Sequence, residues 1–280
     1  MRYQIFPPRP ELAHLLLHIL VIELDDCELH LPAVLNPSVM LLIKGRALVR
    51  EANGTMTESL RFFLRGPFMS PVNVCYPPGT LSLSFCFRAG MLHQATGLSA
   101  AGLLEQVVDM AHIFNPDQIR RFLQDIDQDQ GVEGYIARLQ ELLLQILDHR
   151  KKTSIGASFL AAHQKMFFPL LQLSLDFGIG QRQLERRVRD AFGVPLRDVR
   201  RLARFGQCLP RLIGHRASWG DLTSIALDSG YYDQAHMYKE FTELAGISPA
   251  LLLQKITGND PAYWLYRLNR TEFKNLFLPV

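Results

Sequence analysis

The sequence predicts an α+β protein in which a β-rich N-terminal domain, residues 1–112, precedes an all-α C-terminal domain, residues 153–280. Two observations support this prediction: β-favouring runs separated by glycine and proline fill the first part, and apolar residues at helical spacing fill the last. Residues 113–152 are expected to form a helical linker. A chain of 280 residues is long enough for two domains that each have a core of their own.

Six runs in the N-terminal region alternate with turn-forming residues and predict strands. The runs are Leu15–Glu23, Val39–Ile43, Ala47–Glu51, Leu60–Leu64, Val72–Tyr76 and Leu81–Phe87. Short strands at this spacing are typical of a barrel or a sandwich. Residues 90–97 predict a short helix at the end of this region.

An amphipathic helix is predicted over residues 132–147, between the two regions. Its apolar stripe consists of Ile136, Leu139, Leu143, Ile146 and Leu147. Such a stripe fits packing on the chain's own barrel about as well as it fits a dimer contact.

Residues 221–249 predict two short helices joined by a tight turn. Ile225 and Ala226 share one face of the first helix, and Asp221 is placed to cap its N-terminus. Gly230 marks the end of that helix, since glycine tolerates the left-handed backbone of such a turn.

The second helix of this pair is predicted to begin after Asp233, a candidate N-cap. Its inward positions are Met237 and Phe241. The outward face carries Gln234, Ala235, Tyr238 and Lys239. Such a hairpin is either a packing unit or a helix-turn-helix, whose second helix enters the DNA major groove.

A second copy of the pattern occurs upstream, over residues 173–195. Ser174 and Gly178 take the places of Ala226 and Gly230. The outward face of its second helix carries Gln181, Arg182, Glu185, Arg186 and Arg189. Two units with matching landmarks form an internal repeat with a period of about fifty residues, which favours the helix-turn-helix over the packing unit.

The outward residues suit contacts with DNA. Arg182 and Arg186 can bridge guanine O6 and N7, Gln234 suits adenine, and Lys239 suits a phosphate. Charge agrees, because residues 151–280 carry a net +7 and residues 1–150 a net −4. Between the units, residues 196–213 predict a helix with arginines on one side. The basic side of the C-terminal half is interpreted as facing nucleic acid rather than only water, because it coincides with a predicted recognition helix.

The two units resemble the DNA-binding domain of AraC/XylS-type transcription regulators, over residues 170–254. The second unit matches at Ile225-Ala226, Gly230-Tyr231, Asp233-Gln234-Ala235-His236, Lys239, Phe241, Gly246 and Ser248-Pro249; the first matches more loosely over residues 178–186. The resemblance implies a cupin-like N-terminal barrel, a homodimer and double-stranded DNA as partner. It implies a sequence-specific regulator that reads two successive major grooves, and it leaves open a small-molecule effector and a contact with RNA polymerase.

Other functions find little support in the sequence. No His-x-His pair, Walker loop or nucleophile elbow occurs, so we expect no enzyme, cofactor or metal site, and no residue is assigned to an effector. Four cysteines without metal spacing and no membrane-spanning run indicate a cytoplasmic protein. A scaffold module with a degenerate helix-turn-helix domain is the first alternative, and a small-molecule enzyme in the barrel is the last. The aromatic tail, residues 259–280, predicts a helix packed on the DNA-binding domain, with partner binding as the alternative.

Overall fold

The computed structural model describes residues 2–24, 27–51, 53–128, 131–149, 154–215 and 219–268. Its strands all lie in the first 109 residues. They are β1 Arg2–Phe6, β2 Leu16–Leu24, β3 Cys27–Leu31, β4 Ser38–Lys44, β5 Leu48–Arg50, β6 Met56–Glu58, β7 Phe62–Arg65, β8 Val72–Tyr76, β9 Thr80–Phe87 and β10 Val107–Asp109.

Helices follow the strands. They are α1 Leu92–Thr96, α2 Met110–Ile113, α3 Pro116–Ile126, α4 Gly131–Ile146, α5 Ile155–Ala161, α6 Leu170–Asp176, α7 Gln181–Phe192, α8 Leu196–His215, α9 Trp219–Asp228, α10 Gln234–Ala245 and α11 Pro249–Thr257. Short 3-10 helices occur at Ala100–Leu103, His163–Phe167 and Pro261–Arg267. The β-rich region followed by a helical region confirms the predicted fold class. No helix in the described part of the chain is long and apolar enough to cross a membrane.

The strands form two antiparallel sheets. The larger has the order β1-β2-β9-β4-β7-β10, and the smaller has the order β3-β8-β5-β6. The apolar faces of the two sheets meet, since Leu20 and Leu42 of the larger sheet share a core cluster with Leu29 and Val74 of the smaller. A cavity remains between the sheets. The finer expectation of a cupin-like closure stays a prediction.

All six predicted strands are present, with ends that shift by up to two residues. Four further strands, β1, β3, β6 and β10, carry no clear sequence signal. Each is only three to five residues long, and polar residues interrupt them, as in the Met56-Thr57-Glu58 of β6. They form at the sheet edges because a neighbouring strand supplies hydrogen bonds that a short segment cannot provide alone.

The predicted amphipathic helix is α4, and its stripe packs on the chain's own β-rich region. Leu139 and Leu143 are fully buried in one cluster with Phe85 and Phe87 of β9. The stripe was expected either to pack on the chain's own barrel or to form a dimer contact. In the structure it packs on the chain's own β-rich region. The residues of the expected linker therefore contribute to the N-terminal core.

One of the two apolar clusters crosses the predicted domain boundary. A single apolar cluster contains Leu20 and Val74 of the sheets together with Phe192 and Phe241 of the helices. The other cluster, which includes Phe85 and Leu139, has all its buried members within residues 12–147.

The C-terminal segment packs in a different way from the predicted helix. Residues Pro261–Arg267 form a 3-10 helix whose Trp264, Leu265 and Tyr266 are buried. Tyr3 of β1 contacts Trp264 at a ring distance of 5.1 Å, so the segment lies against the β-rich region as well as the helices. The rest of the predicted tail helix, residues 269–280, lies outside the described residues.

Candidate nucleic-acid interface

The first helical hairpin consists of α6 and α7. Gly178 adopts a left-handed backbone with φ of +62°, which a residue with a side chain rarely adopts. The Ile179 amide donates to the Ser174 carbonyl at 3.0 Å, and the Gly178 amide donates to the Leu175 carbonyl at 3.1 Å. These bonds end α6 and turn the chain into α7.

The second hairpin, α9 and α10, repeats this geometry 52 residues later. Gly230 has φ of +80°, and the Tyr231 amide donates to the Ala226 carbonyl at 3.0 Å. The Gly230 amide donates to the Leu227 carbonyl, also at 3.0 Å. The predicted internal repeat is thus present down to the hydrogen bonds of its turns.

One predicted cap is wrong and one is confirmed. Asp221 lies inside α9, which already includes Trp219, so Asp221 does not occupy the N-cap position. Asp233 does cap α10, because its Oδ1 accepts a hydrogen bond from the His236 amide at 2.7 Å. The matching position before α7 is Gly180, which has no side chain to serve as a cap.

The outward face of α7 is basic. Leu184 and Val188 are fully buried, which points the opposite side of the helix to solvent. The exposed predicted residues are Gln181, Arg182, Arg186 and Arg189. Glu185 is half-buried instead, and its carboxylate accepts from the Leu196 amide at 3.5 Å, at the start of α8. The structure therefore groups the three arginines and separates Glu185 from them.

The outward face of α10 is narrower than the sequence predicts. Met237 and Phe241 are fully buried, and Ala235 and Lys239 are exposed on the other side.

Two more of the predicted α10 residues are half-buried, namely Gln234 and Tyr238. The Gln234 side chain is also engaged, because Thr223 Oγ1 donates to its Oε1 at 3.1 Å. The bond orients the amide and leaves Oε1 able to accept a second hydrogen bond, since an amide oxygen has two lone pairs.

Three exposed residues near these faces were missed by the sequence analysis. Tyr232, in the turn before α10, is 86% exposed. Arg187 flanks the arginines of α7, and Thr242 follows Lys239 by three residues on the outside of α10. The 3.6-residue period places Thr242 beside Lys239 and would have found it, whereas the exposure of Tyr232 depends on a turn whose side-chain directions no periodicity gives.

Three arginines of α8 are engaged within the protein. Arg201 and Arg204 donate to the buried Glu240 of α10, at 3.2 and 3.0 Å. Arg200 donates to the carbonyls of Met166 and Phe168. These cations hold the helices together instead of facing solvent.

This ion-pair network shifts nearby pKa values. Burial lowers the pKa of Arg201, but the attraction of Glu240 and hydrogen bonds to Asp198 and Glu243 outweigh burial and raise it overall. Burial raises the pKa of Tyr231, whose ring lies 5.6 Å from the Arg204 guanidinium. Both groups stay in their ordinary protonation state near neutral pH.

The last turns of α7 and α10 contact the β-rich region. Ser99 Oγ donates to Asp190 Oδ1 of α7 at 2.8 Å. The Ala33 amide donates to the Leu244 carbonyl of α10 at 2.8 Å. The β-rich region thus contacts both hairpins directly.

The described residues offer no metal centre, since they contain no group of three or more His, Cys, Asp or Glu side chains that could hold an ion.

The match to one protein family agrees with the geometry of the two hairpins. Residues 173–268 match a family model described as a helix-turn-helix domain. A structure of ToxT from Vibrio cholerae matches 90% of this chain and 97% of its own at 8% identity and a TM-score of 0.48. A ToxT structure with an unsaturated fatty acid bound matches 92% and 99% at 11% identity and a TM-score of 0.46. The AraC-like transcriptional activator CuxR matches 66% and 74% at 15% identity and a TM-score of 0.30.

A search of curated proteins finds no match. The family match spans both hairpins, and the hairpins repeat the same turn geometry. Residues 173–268 therefore form a helix-turn-helix domain.

Proposed function

We propose that this protein is a sequence-specific DNA-binding transcription regulator, in which α7 and α10 enter successive major grooves of one duplex. The observation that carries the proposal is the repeat of one turn geometry 52 residues apart, with an exposed outer face on each second helix. Recognition helices of such pairs bind about one helical turn, or 34 Å, apart.

On α7, Arg182 and Arg186 are the proposed base readers. They lie four residues apart, so both project from the same side, and a guanidinium can donate two hydrogen bonds to guanine. Arg189 and Gln181 flank them and suit phosphate oxygens. Glu185 has a different proposed role. Its carboxylate accepts a hydrogen bond from the Leu196 amide and so positions the N-terminus of α8.

On α10, Lys239 is the proposed phosphate ligand and Ala235 the proposed contact with a thymine methyl group. Gln234 is the proposed adenine reader, and its bond with Thr223 orients its amide. Tyr238 is half-buried and supports the helix from its side. The outward face of α7 thus carries most of the positive charge proposed to contact DNA. The outward face of α10 offers fewer exposed residues for such contacts.

The β-rich region has the proposed role of control. Its contacts with both hairpins give an effector in the cavity a route to the DNA-binding helices. The proposed regulator acts in the cytoplasm and binds DNA as a homodimer, which raises its apparent affinity by linking two DNA-binding domains. A contact with RNA polymerase belongs to the same proposal.

DNA binding is tested with the full chain. Selection from a random duplex library, followed by fluorescence anisotropy on the enriched site, should give sequence-selective binding that weakens linearly with the logarithm of salt concentration. Lys239→Ala should weaken binding to all sequences evenly. It should also reduce, by about one, the slope of the logarithm of the binding constant against the logarithm of salt concentration. Thr242→Ala, at an uncharged position three residues along α10, is the matched control and should leave the slope unchanged.

Failure of the selection would contradict the proposal. If no sequence is enriched and binding does not depend on salt, the scaffold alternative gains support. The observation that favours that alternative is the exposed apolar surface of α6, where Leu171 is 59% and Leu175 is 68% exposed.

A further inference from the structure

The loop between β7 and β8, residues 66–71, touches the ends of both α7 and α10. Gly193 ends α7 and Gly246 ends α10, each with a left-handed backbone. A Cβ placed on Gly193 would lie 3.0 Å from Pro67 Cγ, and a Cβ placed on Gly246 would lie 2.5 Å from Pro71 Cγ. The second helix of each hairpin therefore ends against a proline of the same loop.

On one side, the loop is fixed to the β-rich region by Val34. The Phe68 amide donates to the Val34 carbonyl at 3.0 Å, and the Val34 amide donates to the Phe68 carbonyl at 2.9 Å. The preceding residue, Ala33, donates from its amide to the Leu244 carbonyl of α10. The segment that supports the loop thus also reaches the last turn of α10.

On its other side, the loop is held by Glu105. The backbone of Glu105 is left-handed, with φ of +57°, a conformation that costs free energy in a residue with a side chain. Its amide donates to the Pro67 carbonyl at 2.8 Å, and its Oε1 accepts from the Met69 amide and from Ser70 Oγ, each at 3.2 Å. One strained residue therefore holds the loop at three points.

We propose that the loop 66–71 sets the placement of α7 relative to α10, and with it the spacing of the two half-sites that the protein accepts in DNA. Glu105 is the positioning residue that holds the loop in place. The inference rests on the proposed function in one respect, because the spacing matters only if both helices read DNA.

A small change of tilt is enough to alter the spacing. Each of the two helices has 12 residues, so each is about 18 Å long. A tilt of about 10° around the C-terminal end of a helix moves its N-terminal end by about 3 Å, close to the rise of one base pair. Glu240, which bonds to α8, lies in the middle of α10. A helix held at one point can pivot there, and the contact at Gly246 supplies a second point.

The loop leaves the outward faces of both helices open. Arg182 and Lys239 are exposed while the contacts at Gly193 and Gly246 are in place. These contacts lie at the C-terminal ends of the helices, whereas Arg182 is in the first turn of α7. This arrangement favours a loop that positions the helices over a loop that blocks them from DNA.

The placement of the helices is measured in the full chain without DNA. Gln181→Cys and Ala235→Cys carry nitroxide labels at the starts of α7 and α10, and double electron–electron resonance gives the distribution of distances between them. Cys27→Ser and Cys75→Ser remove two native thiols, and the other two are buried. We expect one narrow distribution when the loop is unaltered.

Glu105→Gly releases the loop. It removes the acceptor for Met69 and Ser70, while glycine suits the left-handed backbone, so the chain should still fold. The distance distribution should become broader. Glu105→Gln keeps an Oε1 acceptor and should retain the narrow distribution. Asn259→Gly, at the other described residue that combines a side chain with this backbone, is the matched control and should leave the distribution unchanged.

A second set of variants tests the contact with α10. Gly246→Ala puts a Cβ against the Pro71 ring and should shift the distribution, and the addition of Pro71→Ala, which removes Cγ, should restore part of it. Gly97→Ala imposes the same backbone strain at the end of α1, where an added Cβ meets no described atom within 4 Å. This control should lower stability and leave the distances unchanged.

The consequence for DNA is measured by anisotropy on duplexes in which the two selected half-sites are moved apart or together by single base pairs. For the unaltered protein, an error of one base pair should weaken binding about tenfold, because base contacts are lost. For Glu105→Gly the same error should weaken binding about threefold or less, since the helices can adjust. Glu105→Gln and Asn259→Gly should keep the preference of the unaltered protein.

Each other outcome has a distinct meaning. A distribution as narrow in Glu105→Gly as in the unaltered protein would overturn the inference. Tighter binding by Glu105→Gly at every spacing would also overturn it, because the loop would then hold the helices away from DNA. Broader distances with an unchanged spacing preference would refute the link to DNA. If no DNA is bound but the distances respond as expected, the proposed function fails and the positioning by the loop stands.

Discussion

His30 Nε2 lies 2.8 Å from the carbonyl oxygen of Ala245, although the two residues are 215 positions apart in the chain. Because a carbonyl oxygen only accepts, the ring nitrogen donates this bond. It joins β3 to the last residue of α10. Together with the bond from the Ala33 amide to the Leu244 carbonyl, it fixes the end of the second recognition helix to the β-rich region.

Replacement of this histidine should weaken the whole fold. His30→Ala removes the donor to Ala245 and the ring contact with Tyr263 at 4.9 Å, in a site that is buried. We expect the free energy of unfolding to fall by about 1–3 kcal/mol, since a buried carbonyl loses its partner. Urea denaturation followed by circular dichroism measures the change. His93→Ala, at an exposed position, should change it by less than about 0.5 kcal/mol. Equal losses from both variants would contradict this role of His30.

A second prediction concerns Glu240, which receives hydrogen bonds from Arg201 and Arg204. Glu240→Gln keeps the size of the side chain but leaves two partly buried guanidinium groups without a full counter-charge. The unfolding free energy should fall by about 1–3 kcal/mol, at the lower end because both arginines reach some water.

The matched control makes the same chemical change outside this network. Glu133→Gln, at an exposed position in the first turn of α4, should change the unfolding free energy by less than about 0.5 kcal/mol. If Arg201 and Arg204 face DNA instead of Glu240, Glu240→Gln would leave stability unchanged and increase DNA affinity. Denaturation and anisotropy on the same variant distinguish the two cases.

Specific recognition by the first unit is tested with single alanine variants. Arg182→Ala and Arg186→Ala should each weaken binding to the selected site by about 1–3 kcal/mol and relax base preference at one position. Arg120→Ala removes an exposed arginine of α3 and should have no such effect. A uniform loss across all sequences would reassign Arg182 and Arg186 to phosphate contacts.

The reactivity of two cysteines should depend strongly on folding. Burial raises the pKa of Cys86 and that of Cys208 to about 12. At pH 9 an ordinary thiol is about half ionised, whereas these two are ionised to about one part in a thousand. Because the thiolate is the reactive form, both should resist iodoacetamide in the folded protein and react quickly in guanidinium chloride.

Peptide mass spectrometry after timed labelling gives the rate at each cysteine. Raising the pH from 8 to 9 should increase the slow labelling rate of Cys86 and Cys208 about tenfold. Both pH values lie below the pKa of these thiols, so the thiolate fraction rises tenfold with each pH unit. Labelling of either residue at the rate of a free thiol, without denaturant, would show that the site opens to solvent.

Local rules in the sequence determined much of this protein. The runs of β-favouring residues gave six of the strands, because strand preference and turn residues act over a few positions. The helix-turn-helix repeat followed from Gly178 and Gly230, whose backbone requirement is a property of the residue itself. Asp233 could be identified as a cap from the sequence because its hydrogen-bond partner, the His236 amide, is only three residues away along the chain.

Only the tertiary structure decided which charges face outward. Arg182 and Arg201 are the same residue type on amphipathic helices, and their sequence surroundings do not distinguish them. Arg201 is engaged because Glu240 lies across from it, 39 residues later, whereas Arg182 meets solvent. The packing of α4 on the β-rich region and the apolar cluster that spans both parts of the chain have the same origin. Each depends on a partner, present or missing, that the fold brings from a distant part of the chain, and periodicity reports only on neighbours within a few residues.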